Sequence, residues 1–481
     1  MDLAAKRVLV LGLGETGLSA ARWLAREGAH VRVADTRGSP PGLEHLRNAL
    51  PGVAVDCGEF ADSSFAGIDL IAISPGVPLA DPAVSRASAR GIPVVGDIEL
   101  FAQALARNRN DAAQSQPEEQ LPRILAITGT NGKSTVAALA GAMCAAAGLD
   151  CEVAGNIGPA VLDALQRRRE ADADPDSWVL ELSSFQLETT SSLDASAAVM
   201  LNLSEDHLDR YASMREYAAA KARVFRGGGV QVLNRDDPSS LSMAIPGRKT
   251  ITFGLGAPDT PDDFGLRERQ GAPWLAQGTT PLLPVTEMKL AGLHNAANAL
   301  AALALCRAIG LPLTPLLAAL RAFPGLPHRV ELVGMKSGGT ASVRFYDDSK
   351  GTNVGATVAA LDGLAGTALR PGARVVLIAG GEGKSQNFSP LRTAVARTAR
   401  AVVLLGRDAA SIQRALEGSG VSLYRAGSME QAVSIAHAAA QPGDAVLLSP
   451  ACASFDMYRN YRHRGKVYRG VVQRLIDAAP E

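Results

Sequence analysis

The chain has little cysteine, few aromatic residues and no surplus of charge of either sign. Its 481 residues include 5 cysteines, and 4% of the chain is aromatic. An odd number of cysteines without a C-x-x-C pair predicts neither a disulfide framework nor a zinc site, and it indicates a reducing compartment. Lys and Arg total 48, as do Asp and Glu, so the net charge is zero. This balance argues against a nucleic-acid scaffold, which would carry a basic excess.

Long hydrophobic runs are absent as well. The longest apolar stretches, such as 375–380 and 401–405, fall far short of the ~20 residues that a membrane-spanning helix needs. The apolar run at 8–13 ends in Gly14 without a cleavage site at signal-peptide spacing. We therefore expect a cytoplasmic protein that does not bind a membrane. Since no long heptad pattern or large apolar patch is readable, we expect a monomer.

Glycine is plentiful, and it recurs between short apolar strands and helices. This alternation predicts parallel sheets with right-handed crossovers, which is an α/β fold. At roughly 150 residues per domain, the length suggests three domains. We place these domains at 1–96, 97–326 and 327–481. Within the central domain we predict a polar insert at 107–120 and a long loop at 256–281.

The first glycine motif, Gly12-x-Gly14-x-x-Gly17, follows a predicted strand and opens a helix. Asp35 ends the next strand. In this setting glycine lets the backbone approach a phosphate at the positive end of a helix. From the residues alone, a nicotinamide or flavin site and a tight turn without a ligand both stay open. Nothing in this stretch supplies hydride chemistry.

A stronger signal lies at 129–135, between a predicted strand and an alanine-rich helix. A lysine in a glycine loop, here Lys133, reaches the β- and γ-phosphates of a nucleotide, and the hydroxyl of Ser134 can bind Mg²⁺. The match to the phosphate-loop motif is incomplete because Ile127 stands where that motif has glycine.

Three groups downstream could bind a metal ion. Glu181 ends an apolar strand, His207 follows another strand, and Lys221 lies in a predicted helix. Each has an ordinary alternative, namely a solvated carboxylate, a structural histidine and a solvated lysine. The composition does not decide between these readings.

Two more loops place lysine beside glycine at strand exits, at Lys350 and Lys384. Three such loops in one chain predict several bound anionic groups. Asn295 and Asn298 share a helix face because they are three residues apart. They could bond an adenine edge or a phosphate, or they could cap the helix.

Together these segments resemble the Mur ligases of peptidoglycan synthesis. The resemblance covers about residues 7–470 and rests on AITGTNGKST, ELSSFQLE, NLSEDHLDRY, GLHNAANALAA, PHRVE, YDDSKGTN and LSPACASFD. It implies a Rossmann-like domain for a uridine nucleotide, a P-loop-like central ATPase and a Rossmann-like C-terminal domain for an amino acid. The segment at 35–37 and the SPACAS run favour the member that joins D-glutamate to UDP-N-acetylmuramoyl-L-alanine (UDP-MurNAc-L-Ala).

The resemblance also implies the reaction and its cofactors. A substrate carboxylate takes the γ-phosphoryl group of ATP, and the amine of D-glutamate attacks the resulting acyl phosphate. Two Mg²⁺ ions take part, and Lys221 carries a carbamate formed from CO₂.

The implied site residues fall into groups by ligand. The ATP site comprises Gly129, Thr130, Asn131, Gly132, Lys133, Ser134, Thr135, Asn295, Asn298, Arg329 and Asp348. The UDP-substrate site comprises Gly14, Thr16, Asp35, Thr36, Arg37, Ser74, Pro75, Gly76 and Asn156. The amino-acid site comprises Thr352, Lys384, Ser454, Phe455 and Tyr461. The metal ligands are Ser134, Glu181, His207 and Lys221. Catalytic roles fall to Lys133, Asn156, His207, Lys221 and Lys350.

Two alternatives stay open. A folylpolyglutamate synthetase shares the ATPase and glutamate-adding chemistry, but it lacks a counterpart of residues 1–95. A nucleotide-binding regulator without turnover would not need Lys133, Glu181, His207 and Lys221. The D configuration of the glutamate rests on the resemblance alone.

Overall fold

Three sheets, each covered by helices, follow one another along the chain. They are seen in a computed structural model that describes residues 2–112, 122–290, 292–338, 341–367 and 372–478. The predicted α/β class with three domains is confirmed.

The N-terminal domain is a five-stranded parallel sheet. Its elements are β1 (Arg7–Leu11), α1 (Glu15–Arg26), β2 (His30–Asp35), α2 (Leu43–Ala49), β3 (Ala54–Cys57), β4 (Leu70–Ile73), α3 (Pro82–Ala89) and β5 (Val94–Val95). The strand order is β3-β2-β1-β4-β5, so the chain runs outward on one side of β1 and then returns to its other side. Ligands of open α/β sheets bind at the carboxyl end of the strands where the order reverses in this way.

The central domain is built on a nine-stranded sheet. Its elements are α4 (Asp97–Ala112), β6 (Arg123–Thr128), α5 (Lys133–Ala146), β7 (Cys151–Gly155), α6 (Val161–Glu170), β8 (Ser177–Glu181), α7 (Ser184–Glu188), β9 (Ala197–Met200), α8 (Met214–Ala222), β10 (Val230–Asn234), α9 (Pro238–Leu241), β11 (Thr250–Phe253), β12 (Phe264–Arg269), β13 (Ala272–Gln277), β14 (Thr280–Pro284), α10 (Leu293–Ala308) and α11 (Leu313–Ala322). The strand order is β14-β13-β12-β11-β10-β9-β6-β8-β7. The apolar helices α5 and α10 share one core with this sheet.

The prediction of a long loop at 256–281 is wrong. Strands β12, β13 and β14 form an antiparallel ribbon there, continuing the sheet. Gly271 and Gly278 make its turns with φ values of 72° and 53°, a conformation that favours glycine. Phe264 and Leu275 are fully buried. The ribbon is hard to read in the sequence because its outer positions carry polar residues and proline.

The polar insert predicted at 107–120 is wrong for its first part. Residues 107–112 continue α4, and Arg107 donates a hydrogen bond of 3.0 Å to Glu27 of the N-terminal domain. A contact with another domain supports this turn of helix despite its polar sequence. Residues 113–120 lie outside the described residues.

The C-terminal domain is a six-stranded sheet. Its elements are β15 (Glu331–Gly338), β16 (Ala341–Asp347), α12 (Val354–Thr367), β17 (Val375–Gly380), α13 (Leu391–Thr398), β18 (Ala399–Leu405), α14 (Ala409–Leu416), β19 (Ser422–Arg425), α15 (Met429–Ala439), β20 (Ala445–Leu448) and α16 (Tyr461–Asp477). The order is β15-β16-β20-β17-β18-β19, with β15 antiparallel to β16. In the described part of the chain, no helix has the length and apolar character needed to cross a bilayer.

Ion pairs join the N-terminal and central domains across α1 and α6. Arg22 donates to both carboxylate oxygens of Asp163 at 3.0 and 2.9 Å. Arg169 donates to Glu27 at 3.0 Å, and its guanidinium lies 4.6 Å from the centre of the Trp23 ring. These ion pairs flank a buried apolar cluster that continues from the first sheet into the central domain and includes Trp23, Phe101 and Trp178.

Candidate active site

A cavity of about 510 Å³ lies at the carboxyl end of the first sheet, against the end of β7. Every residue predicted for the UDP-substrate lines it: Gly14, Thr16, Asp35, Thr36, Arg37, Ser74, Pro75, Gly76 and Asn156. Gly12 of the glycine motif lines it as well, as do Glu15, Val77 and Gln186, which the sequence did not single out for this site. We refer to this space as the nucleotide-sugar cavity.

The glycine turn after β1 is shaped by close packing. A Cβ atom at Gly17 would lie 1.8 Å from the carbonyl oxygen of Gly12, so no other residue fits there. Ser74 donates its hydroxyl to that same oxygen at 2.9 Å. At Gly14, by contrast, a Cβ would meet no atom within 4 Å. Gly14 is therefore not required by packing, and it leaves the backbone open to a ligand at the start of α1.

Asp35 organises the rim of this cavity. It is buried, and it accepts hydrogen bonds from the Leu13 backbone at 2.6 Å and from the Arg37 guanidinium at 2.6 and 2.8 Å. Burial opposes its ionisation, but the hydrogen bonds from Arg37 and Leu13 lower the pKa of Asp35 to about 2. Asp35 thus holds Arg37 in place, and the half-exposed guanidinium is the group that faces solvent.

The loop between β6 and α5 has the form of a phosphate loop. Gly129 and Gly132 have φ values of 150° and 85°. A Cβ at Gly132 would lie 2.3 Å from the side-chain oxygen of Asn298. The Lys133 amine donates to the carbonyl oxygens of Gly129 and Thr130 at 2.9 and 2.8 Å. Backbone amides at a helix N-terminus together with a lysine form an anion-binding site.

A second cavity, of about 270 Å³, lies between the central and C-terminal domains beside this loop. Seven residues predicted for ATP line it: Asn131, Gly132, Thr135, Asn295, Asn298, Arg329 and Asp348. His294 and Phe253 also contribute to its wall. The remaining predicted ATP residues are in the adjoining loop and at the start of α5.

Ser134 is the point where the central and C-terminal domains meet. Its hydroxyl oxygen accepts hydrogen bonds from Lys350 at 2.7 Å and from Arg329 at 3.2 Å. Burial, reinforced by the nearby Arg329, lowers the pKa of Lys350 to about 8. Positive charge is therefore concentrated beside the phosphate loop.

Glu181 offers an oxygen ligand at the end of β8. It is buried, so the solvated reading of this carboxylate is wrong. Its Oε1 accepts a hydrogen bond of 2.7 Å from Asn156, whereas its buried Oε2 has no hydrogen-bond partner among the described residues. Although burial opposes ionisation, the charges of Lys133 and Lys350 hold the pKa of Glu181 below its ordinary value. A carboxylate oxygen of this kind suits Mg²⁺.

Lys221 is fully buried, so the solvated reading of this lysine is also wrong. Its amine donates to the Gly129 carbonyl oxygen at 2.8 Å and lies 4.7 Å from the centre of the Tyr217 ring. Burial lowers the pKa of the Lys221 amine well below its ordinary value. A neutral amine is the form that reacts with CO₂, so the surroundings of Lys221 fit a carbamate.

His207 follows β9 in a left-handed backbone conformation, with a φ of 56°. Its ring packs edge-on against Phe185, with 4.7 Å between ring centres. Burial lowers the pKa of His207 to about 4, so the imidazole is neutral at physiological pH. Neutral imidazole is the form that binds metal ions.

The residues predicted for the amino acid are distributed over the C-terminal domain. Lys384 reaches across to Asp206 of the central domain at 3.3 Å. The Tyr461 ring centre lies 5.6 Å from the Lys350 amine. Ser454 is buried, whereas Phe455 is 70% exposed. Thr352 donates its backbone amide to the Lys350 carbonyl at 3.0 Å.

Two residues without a predicted role complete the contact between these domains. Asn353 exchanges side-chain hydrogen bonds of 3.0 and 3.3 Å with Asn131 of the phosphate loop. Asp206 accepts from Asn353 at 3.3 Å as well as from Lys384. Asp206 lies in the motif segment NLSEDHLDRY, and Asn353 lies in YDDSKGTN. Their positions inside these motifs are the feature of the sequence that could have identified them.

His328, Glu331 and Asp347 each place one possible ligand atom within 4.8 Å of the others, which is close enough for a metal ion. His328 Nδ1 lies 2.6 Å from an Asp347 carboxylate oxygen. Arg469 donates to Glu331 at 2.7 Å. These groups are engaged with one another, and we assign them to fixing the loop that carries Arg329.

Comparison with known proteins identifies the family to which the chain belongs. Residues 6–96 match the domain described as Mur ligase MurD-like, N-terminal domain. Residues 127–306 match the Mur ligase middle domain, and residues 328–452 match the Mur ligase, glutamate ligase domain. A protein of Nitrosospira multiformis named UDP-N-acetylmuramoylalanine--D-glutamate ligase is 56% identical, with 99% of this chain and 97% of that protein covered. The chain belongs to the Mur ligase family. The predicted resemblance is therefore confirmed.

Further relatives and solved structures agree with this membership. A Ralstonia nicotianae protein of the same name is 51% identical, with 98% of each chain covered. The structure of UDP-N-acetylmuramate-alanine ligase MurC from Thermotoga maritima is similar to this Mur ligase with a TM-score of 0.60 and 18% identity, covering 98% of this chain and 99% of that one. MurF from Acinetobacter baumannii gives a TM-score of 0.59 and 16% identity, with 99% and 92% covered. At such identities the two structures support the fold alone.

Proposed function

We propose that this Mur ligase joins D-glutamate to UDP-MurNAc-L-Ala, forming an amide with release of ADP and phosphate. The observation that carries the proposal is the contact between Asn156 and Glu181. Asn156 lines the nucleotide-sugar cavity. Its side-chain amide donates a hydrogen bond of 2.7 Å to Oε1 of Glu181, which lies beside the phosphate loop. The nucleotide-sugar cavity therefore borders a candidate metal ligand beside the phosphate loop, where a substrate carboxylate would encounter a γ-phosphate. Relatives that are 51% to 56% identical over nearly the whole chain carry the name of this activity.

The chemistry requires two anions to approach each other. The substrate carboxylate attacks the γ-phosphorus of ATP, and the bond to ADP breaks. Lys133, Lys350 and Arg329 supply fixed positive charge where the phosphoryl group passes, which is the main task in phosphoryl transfer. The amine of D-glutamate then attacks the acyl carbon, and phosphate leaves as the amide forms.

Metal ions fit the donor set around the phosphate loop. Ser134, Glu181, His207 and a carbamate on Lys221 would hold two Mg²⁺ ions, which neutralise charge on the phosphates. The carbamate matters because a lysine cation would repel the metal, whereas a carbamate supplies anionic oxygen. The buried, unpartnered Oε2 of Glu181 and the buried amine of Lys221 support this set.

We assign the carboxylates of D-glutamate to Thr352, Lys384, Ser454 and Tyr461, and we place Phe455 in the same amino-acid site. Lys384 is paired with Asp206, and a carboxylate of the amino acid would compete for its amine. Binding of D-glutamate would thereby loosen one contact between the central and C-terminal domains and replace it with a contact through the ligand.

The decisive assay measures phosphate release with each substrate left out in turn. We expect turnover only with ATP, Mg²⁺, UDP-MurNAc-L-Ala and D-glutamate together, and little with L-glutamate. Phosphate release with a folate substrate in place of UDP-MurNAc-L-Ala would refute the proposal. The match of residues 6–96 to a MurD-like domain already weighs against that alternative.

A separate experiment tests the carbamate. We expect Lys221→Ala to lose most activity and to regain part of it when bicarbonate or a short carboxylic acid is added, because an added carboxylate can replace the carbamate oxygens. Exposed Lys466→Ala is the control and should respond to neither addition. If no carboxylic acid restores Lys221→Ala, the carbamate loses its support.

We also propose that the protein acts as a monomer in the cytoplasm, where nucleotide-linked substrates and ATP are available. Light scattering should give the mass of one chain with and without substrates. A mass of two or more chains under assay conditions would contradict the monomer.

A further inference from the structure

Arg210 of the central domain reaches the loop of the N-terminal domain that lines the nucleotide-sugar cavity. Its guanidinium donates to the carbonyl oxygen of Pro75 at 3.2 Å and to that of Val77 at 2.9 Å. The side chain is 15% exposed. Pro75, Gly76 and Val77 all line the cavity. The shape of this wall therefore depends on a side chain from the other domain.

The same side chain is tied to the loop that carries His207. The Arg210 guanidinium lies 4.4 Å from the centre of the Phe185 ring, and that ring packs against His207. The Arg210 backbone amide donates to the His207 carbonyl at 2.9 Å. A chain of direct contacts thus runs from the cavity wall to a proposed metal ligand.

Arginine suits this position for a geometric reason. Its planar group can donate to two carbonyl oxygens while one face lies on an aromatic ring, whereas lysine offers a point charge without a plane. Glu188, 3.7 Å from the guanidinium, balances the charge. The hydrogen bonds are made to backbone oxygens, so they fix the loop whatever its side chains.

We propose that Arg210 is a positioning residue that sets the distance between the nucleotide-sugar cavity and the phosphoryl-transfer centre. The inference rests on the proposed function, because it takes the loop at 74–77 to bind the UDP-substrate. One substrate molecule must place its diphosphate in the cavity and its carboxylate beside the phosphate loop. A misplacement of about 1 Å can lower a rate by roughly 100-fold.

The test compares Arg210→Lys with Arg22→Lys, a control that changes an arginine at the same joint far from the loop. Steady-state kinetics are measured for each substrate, and binding of UDP alone is measured by calorimetry. For Arg210→Lys we expect kcat to fall about tenfold and KM for UDP-MurNAc-L-Ala to rise, with KM for ATP within about twofold of wild type. UDP occupies only the cavity, so its affinity should fall less than kcat does.

Other outcomes overturn the inference. If Arg210→Lys matches Arg22→Lys in every parameter, Arg210 does not position the substrate. If KM for ATP rises as much as KM for the UDP-substrate, the residue supports the central domain in general. Phe185→Leu removes the ring that supports the guanidinium, and it is the second variant if Arg210→Lys does not fold. It should likewise lower kcat and raise KM for UDP-MurNAc-L-Ala while leaving KM for ATP nearly unchanged. Kinetic parameters equal to those of wild type would contradict the inference. Failure of the proposed function would show separately, as wild-type protein that neither binds UDP nor turns over.

Discussion

The two joints between domains are built from different kinds of contact. The joint between the N-terminal and central domains has a shared apolar core, flanked by ion pairs such as Arg22–Asp163 and by the hydrogen bonds of Arg210 to loop carbonyl oxygens. At the joint between the central and C-terminal domains, Lys350 and Arg329 donate hydrogen bonds to Ser134. Lys384 forms an ion pair with Asp206 across the same joint. The first set is made by groups that do not line either cavity, so the proposed substrates do not contact them directly. The second set is made by groups that the proposed substrates bind.

This difference predicts which joint responds to ligands. Phosphates and carboxylates compete for Lys350, Arg329 and Lys384, so binding should rearrange the second joint and leave the first in place. Burial and the nearby Arg329 lower the pKa of Lys350 to about 8, because the positive charge beside Ser134 is costly without an anion. Anionic ligands would offset this cost and draw the C-terminal domain inward. Lids and domains that close in this way exclude water from the reaction.

The largest expected effect comes from removing a cation at the second joint. Lys350→Ala should lower kcat by roughly 100- to 1,000-fold, a magnitude typical of losing one transition-state charge contact. Binding of UDP-MurNAc-L-Ala, measured by calorimetry, should change little because its cavity lies at the first joint. Exposed Lys466→Ala is the matched control. A large loss of UDP-substrate affinity in Lys350→Ala would mean that the two joints are not independent.

The next effect concerns stability at the first joint. Asp97, at the start of α4, is buried and accepts a hydrogen bond of 3.0 Å from Gln186. Burial raises the pKa of Asp97 from 3.8 to about 6. Between these pH values the folded chain binds more protons than the unfolded chain, so stability falls as pH rises. The fall amounts to roughly 3 kcal/mol at 1.36 kcal/mol per pKa unit.

Asp97→Asn removes this titration. In denaturant unfolding, the free energy of unfolding of Asp97→Asn should therefore rise relative to that of wild type between pH 4 and pH 7. Below pH 4 the two values should differ little. Exposed Asp262→Asn should run parallel to wild type. A constant difference between Asp97→Asn and wild type at all pH values would show that the carboxyl does not titrate in this range.

A smaller effect is expected from the amide pair at the second joint. Asn353→Ala removes both hydrogen bonds to Asn131, and we expect each lost bond to lower the free energy of unfolding by about 1 kcal/mol. We expect KM for D-glutamate to rise several-fold and the compaction seen by X-ray scattering with ATP and substrate to diminish. Exposed Asn48→Ala is the control. Full compaction in Asn353→Ala would show that the pair does not contribute to closure.

The smallest effect is expected from a single ion pair at the first joint. Both side chains of the Arg22–Asp163 pair are more than a third exposed, and such pairs contribute below about 1 kcal/mol. Arg22→Ala should lower the melting temperature by a few degrees at most and leave KM for all substrates unchanged. A change in KM for UDP-MurNAc-L-Ala would show that this pair, too, sets the position of the cavity.

Local patterns predicted the buried parallel strands and the loops that follow them, but not the ribbon of β12, β13 and β14. Continuous apolar runs at β1, β6 and β17 and the glycines that follow them are visible without any knowledge of the fold. The residues predicted for the UDP-substrate come from several motifs, yet they line one cavity. They lie together because the carboxyl ends of parallel strands meet at one edge of a sheet, and their role in binding stays a prediction.

Contacts between domains could not be predicted from the sequence. Arg210 and Pro75 are 135 residues apart, and Lys384 and Asp206 are 178 apart. Which such pairs meet depends on how domains dock, and no local period records that. The burial of Lys221 was hidden because its amine donates to the Gly129 carbonyl oxygen, which lies 92 residues earlier in the chain within the same domain.

The ribbon of β12, β13 and β14 has a consequence for solubility. β14 forms one end of the nine-stranded sheet, and an exposed strand edge can pair with a strand of another molecule. Pro281 and Pro284 lie in β14, and proline has no amide hydrogen to donate to an added strand. Replacing Pro281 and Pro284 by threonine would return two amide hydrogens to this strand while keeping the rest of the chain. We expect that variant to self-associate more than the wild-type protein, because β14 could then pair along its full length.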